Sequence, residues 1–305
     1  MKKKFRIIIV LLSIIFLIFF LKILYIFLLN KYGLGNPLIY KQSNIFNYEV
    51  KENQEIVRLG NKIKINSDGM RSKEWVKNNK DLKIIFFGDS VTYGGSIVSN
   101  NELFSELICS KLKIKLNTLT TCGNYGVNGY SLYLINKKIK YKKIKNKDFI
   151  VVIIIANDLL RDDHHIKSQP FWSKKINNFL PAFTEIFFIY LDRFRNNYKF
   201  TIPVIDQNLE YINNIVEEFS NTLEEQKKPY IVLYSPEKDE LTIDKQKYKE
   251  IKLILKRKIK NFYDLSEHIN KENIFHDNVH LNKKGHTLYS NIISEIILNK
   301  IKLNY

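Results

Sequence analysis

The stretch LKIIFFGDSVTYGG, Leu82 to Gly95, places five apolar residues in six positions, interrupted only by Lys83, and then stops at Gly88-Asp89-Ser90. A run of this kind reads as a strand buried on both faces, which is the habit of parallel sheets covered by helices. In such sheets ligands sit outside the carboxyl ends of the strands. The triplet falls at that edge, where glycine permits a tight turn and the Ser90 hydroxyl can be presented to solvent. Taken alone, it reads equally well as an Asx-turn in which Ser90 caps a helix.

Working outward, further strands are expected at Leu116–Thr120, Phe149–Ile155, Tyr230–Tyr234 and near Phe262. Amphipathic helices are expected at Asn101–Leu112, Ser131–Ile144, Leu209–Gln226, Lys245–Lys260 and Lys284–Asn299. Strands alternating with helices predict an α/β fold, a three-layer α/β/α sandwich around a five-stranded parallel sheet. Upstream, NKIKINSDGMR alternates Ile63 and Ile65 with lysines before a Ser67-Asp68-Gly69 turn, predicting a small β appendage. The aromatic segment Phe171–Asn197, broken at Pro181, interrupts the alternation and reads either as additional core or as a lid or membrane-contacting flap. The expected division is an anchor over 1–30, a linker with β appendage over 31–80, and one domain over 81–305 carrying an insertion at 168–205.

With 305 residues, 45% of them hydrophobic, the chain can bury a sizeable core and is not a disordered protein. The net charge of +18 does not point to nucleic acid. Lysine carries most of it and accompanies abundant Ile and Asn, the mark of a coding bias with solvated faces. The remaining candidates for an anionic partner are lipid headgroups or an acidic glycan. In the densest run, Asn136–Lys147, the apolar Ile139, Tyr141 and Ile144 are interleaved, which fits a helix end with one buried side. Two cysteines, Cys109 and Cys122, are too few for a disulfide framework or a metal cluster; one bridge is possible in an oxidising compartment.

The N-terminus carries Lys2, Lys3, Lys4 and Arg6 ahead of an apolar run from Ile7 to Leu29, broken only by Ser13 and Lys22. As a helix, residues 5–29 are long enough for a hydrocarbon core of about 30 Å. The basic flank predicts a cytoplasmic N-terminus with everything after Asn30 on the outer side, periplasmic or extracellular. A cleaved signal peptide is the competing reading. It needs small residues at a cut site, and Gly33-Leu34-Gly35 is the one candidate.

A serine nucleophile needs a base, and an imidazole needs a carboxylate to fix its tautomer. HDNVHLNKKGH, His276 to His286, sets Asp277 three residues before His280, close enough for a local turn to join them. A lone Asp-x-x-His is otherwise a capping or loop arrangement. Acyl transfer also needs donors aimed at the developing oxyanion. NYGVNGYS from Asn124 offers the Gly129 backbone N–H, and IIIANDLLRDD offers the Asn157 amide at the end of the third strand. His276, His286 and RDDHH, Arg161 to His165, lack convincing metal-ligand spacing; no metal or cofactor is expected.

Gly88-Asp89-Ser90, Asn124 to Gly129, Ala156-Asn157-Asp158 and Asp277 to His280 come in the order and rough spacing of the SGNH hydrolase (GDSL-like esterase) superfamily, which this chain resembles from about Asp81 to Asn299. The resemblance implies a flavodoxin-like fold with Ser90 as nucleophile, His280 as general base and Asp277 as its orienting acid. It further implies an oxyanion hole from the Ser90 and Gly129 N–H groups and the Asn157 amide. INSDGMR is similar to a segment that often precedes the serine block in membrane-anchored or exported members. Two departures stand out: Val91 where leucine is common, and Ala156 where glycine is usual, which bears on acyl-group size.

The expected activity is therefore that of a serine esterase acting on an O-acyl or O-acetyl ester of an envelope glycan or lipid. The same residues would serve an O-acyltransferase with a sugar hydroxyl as acceptor, and the same fold would serve a catalytically silent envelope-binding protein.

Overall fold

The computed structural model describes residues 2–74, 81–142, 148–161, 180–195, 209–244, 246, 248–269 and 272–304. In chain order the elements are α1 (Lys2–Asn30), β1 (Tyr40–Ser43), β2 (Asn47–Val50), β3 (Gln54–Arg58), β4 (Asn61–Ile65), β5 (Leu82–Gly88), α2 (Ser90–Tyr93), α3 (Phe104–Leu116), β6 (Thr120–Asn124) and α4 (Leu132–Tyr141). There follow β7 (Asp148–Ile154), α5 (Ala156–Leu160), α6 (Pro181–Arg195), α7 (Leu209–Glu225), β8 (Tyr230–Tyr234), α8 (Lys238–Thr242), α9 (Lys249–Lys258), β9 (Phe262–Asp264) and α10 (Lys283–Asn304). They divide into two compact units.

One unit is Met1–Ile39, Ile56–Lys62 and Pro170–Lys199. Within α1 the apolar span Lys3–Asn30, 28 residues, is long enough to cross a membrane, and its side chains from Phe5 to Phe20 are largely exposed. Within this unit Tyr25 of α1 stacks on Phe183 of α6 at 5.6 Å. The buried Glu185 pairs with Arg58 (2.8 Å from Nη1) and also accepts from the Gly35 backbone N–H. Of the predicted 168–205 insertion, residues 180–195 are described; the rest lies outside the described residues.

The other unit is Tyr40–Glu55, Ile63–Gln169 and Phe200–Tyr305. Its centre is a five-stranded parallel sheet in the order β6-β5-β7-β8-β9. The first strand of this sheet in the sequence, β5, lies between β6 and β7, so the order reverses at β5 and β7, the switch point where α/β sheets leave a crevice. Ile84 to Phe87, Phe149 to Ile154 and Tyr230 to Tyr234 are all buried, which accounts for the unbroken apolar runs. One face is covered by α3 and α10, whose Phe104, Ile108, Leu112, Tyr289, Ile293 and Ile297 pack with Ile84, Phe86 and Val151 in a single cluster.

The second sheet strand departs from the sequence expectation. Leu116 closes α3, Asn117 stops the helix in the left-handed region at φ 47°, and the strand runs Thr120–Asn124. Phe104, Ile108 and Leu112 form a buried helical stripe on α3, and the β-branched Thr120 and Thr121 pair with β5. Cys109 of α3 and Cys122 of β6 are disulfide-bonded, with Cα atoms 5.9 Å apart.

Candidate active site

Gly88 ends β5 where a side chain has no room: an added Cβ would meet Thr92 Oγ1 at 2.0 Å and the Ile153 carbonyl at 2.5 Å. Asp89 then caps α2, its carboxylate accepting from the Val91 N–H at 2.8 Å. The helix lasts one turn and closes at Gly94, φ 82°, so Ser90 sits at its first position beside the sheet edge. The alternative reading of the triplet therefore applies to Asp89, which is the cap, and leaves the Ser90 side chain available.

His280 reaches that side chain from the far end of the sequence, with Nε2 2.9 Å from Ser90 Oγ. Its Nδ1 lies 2.7 Å from Asp277 Oδ2. The other Asp277 oxygen accepts from the backbone N–H groups of Val279 (2.9 Å) and His280 (2.7 Å), so one carboxylate both folds the turn and faces the ring. Partial burial works to raise the Asp277 pKa, but the hydrogen bonds from His280 and Val279 outweigh it and hold the carboxyl below its usual range. The Asp277 and His280 side chains keep 48% and 27% of their exposure, so this side of the site is open.

Asn157 lies in the first turn of α5, directly after β7, and its Nδ2 donates to Glu237 Oε1 at 3.1 Å. Gly129 adopts φ 80° in the loop after β6. That loop is fastened beside α2 by Val127 N–H to the Gly88 carbonyl (3.1 Å) and by Asn124 Nδ2 to the Thr92 carbonyl (2.6 Å). Gly126 allows the approach, since a Cβ there would fall 2.2 Å from the Tyr93 nitrogen. The four sequence blocks thus come from the carboxyl ends of β5, β6 and β7 and from the loop before α10.

A sequence profile of the GDSL-like lipase/acylhydrolase family matches residues 84–293, about two thirds of the chain, and spans all four blocks. The chain belongs to that family. It is an ester-hydrolysing enzyme with the SGNH fold. In fold this GDSL-like hydrolase is similar to a lipolytic G-D-S-L family member from Veillonella parvula DSM 2008, at 17% identity and TM-score 0.43, covering 68% of this chain and 94% of that one. It is also similar to the acetyl xylan esterase AlAXEase, at 16% identity, TM-score 0.44 and coverage of 71% and 98%. A third similar structure is Axe2, an acetylxylan esterase from Geobacillus stearothermophilus, at 15% identity, TM-score 0.42 and coverage of 72% and 93%. No curated protein matches the sequence.

Beneath the hydrolase's serine lies a buried charge cluster that sequence reasoning missed. Arg161 Nη1 donates to Asp158 Oδ1 (3.0 Å), the Tyr130 carbonyl (2.7 Å) and, at 3.5 Å, Asp89 Oδ2, while Ser90 Oγ lies 3.1 Å from the same Asp89 oxygen. Two buried carboxylates share one guanidinium. Burial first, and the Asp89 charge second, push the Asp158 carboxyl well above its usual range, more than Arg161 offsets. Arg161 was legible only as part of RDDHH, whose remaining residues lie outside the described ones.

Arg71, at the end of INSDGMR, is also buried, with its guanidinium donating to the carbonyls of Tyr93 (2.8 Å), Gly95 and Val98. It pins the chain leaving α2. His286 is a core residue, stacked on Phe104 at 5.6 Å and accepting from its backbone N–H. Burial, and secondarily Arg71, push its pKa down to about 3, so the ring is neutral.

Proposed function

We propose that the protein is a membrane-tethered serine esterase that cleaves an O-acyl or O-acetyl ester of a cell-envelope glycan or lipid through an acyl-enzyme. The observation that carries this reading is the relay Asp277 Oδ2 to His280 Nδ1 at 2.7 Å and His280 Nε2 to Ser90 Oγ at 2.9 Å.

Ser90 Oγ attacks the ester carbonyl carbon while its proton passes to His280 Nε2, and Asp277 stabilises the imidazolium. The oxyanion is held by the N–H groups of Ser90 and Gly129 and by the Asn157 amide. Collapse of the tetrahedral intermediate expels the alcohol, which takes the proton from Nε2. Water, deprotonated by the same nitrogen, then attacks the acyl-enzyme and frees Ser90 and the acid. The exposure of the Asp277 and His280 side chains favours an ester carried on a bulky polymer or surface.

The outer-side location is supported by the apolar α1 behind Lys2, Lys3, Lys4 and Arg6 and by the Cys109–Cys122 disulfide, since such bonds persist in oxidising compartments. The test is turnover of an activated acetate ester by the full chain in detergent. Ser90→Ala is expected to reduce it to background, and unchanged turnover would remove the serine mechanism.

A further inference from the structure

We propose that Glu237 is a positioning residue that holds the Asn157 amide and the Asp277–His280 loop in one frame; this rests on the reading of Asn157 as an oxyanion donor. Glu237 follows β8 by three residues, at the same carboxyl edge as Ser90 and Asn157, and is 2% exposed. Its Oε1 accepts from Asn157 Nδ2 at 3.1 Å, and its Oε2 accepts from Asn278 Nδ2 at 3.3 Å. Tyr248 Oη lies 3.3 Å from both oxygens. One buried carboxylate therefore joins Asn157, three residues beyond β7, to Asn278, the residue between Asp277 and Val279.

Two consequences follow from the donor inventory. A carboxylate only accepts, so it fixes which end of the Asn157 amide faces it and leaves the second Nδ2 hydrogen free to point elsewhere. Without that partner the amide can turn over and present its carbonyl oxygen where negative charge must develop. The second consequence concerns the loop. Its own turn is held by Asp277, and Asn278 ties it to the start of α8: the Asn278 carbonyl accepts from Lys238 N–H (2.7 Å) and its Oδ1 accepts from Asp239 N–H (3.1 Å). Glu237 completes that attachment beside the start of α8, fixing the height at which His280 meets Ser90.

Glu237→Gln is the informative substitution, because a glutamine offers one acceptor where two amide donors converge. With the full chain in detergent and an activated acetate ester, kcat is expected to fall about tenfold or more with KM within about twofold, since the lost interaction acts on the transition state. In a chain that already carries Asn157→Ala and Asn278→Ala, and so lacks both amide partners, Glu237→Gln is expected to add less than about a threefold further loss, as residues acting through one another are not additive. Wild-type kcat in Glu237→Gln, or a loss that multiplies in the triple variant, overturns the inference. Ser90→Ala assayed alongside separates the two ideas: turnover retained there removes the serine reading and this inference with it, whereas an inactive Ser90→Ala with an unimpaired Glu237→Gln removes this inference alone. If circular dichroism finds Glu237→Gln unfolded, Asn278→Ala, at a half-buried loop position, decides: a loss in kcat is expected, and an unchanged kcat overturns the inference.

Discussion

Ser90 and His280 are 190 positions apart in the chain, and their Oγ and Nε2 atoms are 2.9 Å apart in space. The serine hydroxyl has a second acceptor, Asp89 Oδ2 at 3.1 Å, so its proton is directed productively only when the imidazole presents an unprotonated Nε2. That tautomer requires Nδ1 to carry the hydrogen, and Asp277 is the group placed to demand it.

Asp277→Asn should therefore keep the loop and lose the chemistry. The amide oxygen can still accept from the Val279 and His280 N–H groups, while its NH2 would face Nδ1 and favour the wrong tautomer. A fall in kcat of about 10²–10⁴ is expected, with the thermal midpoint nearly unchanged. Steady-state kinetics paired with a melting curve on the same sample checks it, and an active variant would show that Asp277 serves the turn alone.

Asn157→Ala tests the other half of the site. Its half-buried amide donates to Glu237, and in the proposed mechanism it acts on catalysis by donating to the oxyanion. The expected result is a loss of about 10²–10³ in kcat with KM almost untouched. A rise in KM at constant kcat would instead mark Asn157 as a ground-state contact.

The contrast between what was legible in the sequence and what was not follows from the range of each signal. Ser90 stood out because a both-face-buried strand ends there in a polar triplet, and Asp277 with His280 because three residues suffice for a turn to join them, while their roles came only from the resemblance of the four blocks taken together. Glu237 obeys the same strand-end logic after β8, but SPEKDE carries no nucleophile or base to draw attention. The second strand was expected at Leu116–Thr120 and runs Thr120–Asn124, because only the pairing of Thr120–Asn124 with β5 sets where it begins. The Cys109–Cys122 bond needs α3 to pack on β6, a tertiary fact that no spacing encodes.

That bond yields a stability prediction. It closes a loop with a sequence separation of 13, and a loop of that length corresponds to about 3 kcal/mol of stabilisation through the unfolded chain. The Cys109→Ala/Cys122→Ala double variant is expected to unfold at lower denaturant by about that amount, and wild type treated with reductant should approach the same curve. Equal stability of oxidised and reduced protein would show that the bond contributes nothing.

Lys138 gives a pH-dependent prediction with a definite sign. On α4 it is 2% exposed, with Nζ 5.2 Å from the ring centroid of Tyr125, 5.4 Å from Tyr130 and 5.9 Å from Phe46. Burial first, and the Lys142 charge second, push its pKa down to about 7, with Glu49 opposing. Between pH 7 and the ordinary lysine range near about 10.4, the unfolded chain holds a proton that the folded protein does not. Stability from this group therefore rises with pH across that window, and the cost of burying the charge is fully present below it. Lys138→Met keeps the apolar stem and removes the charge, so it should be more stable than wild type at pH 6, with the difference shrinking steadily toward pH 10. Denaturant unfolding of both proteins at several pH values checks the slope, and a gap that does not change with pH would mean that Lys138 carries no such penalty.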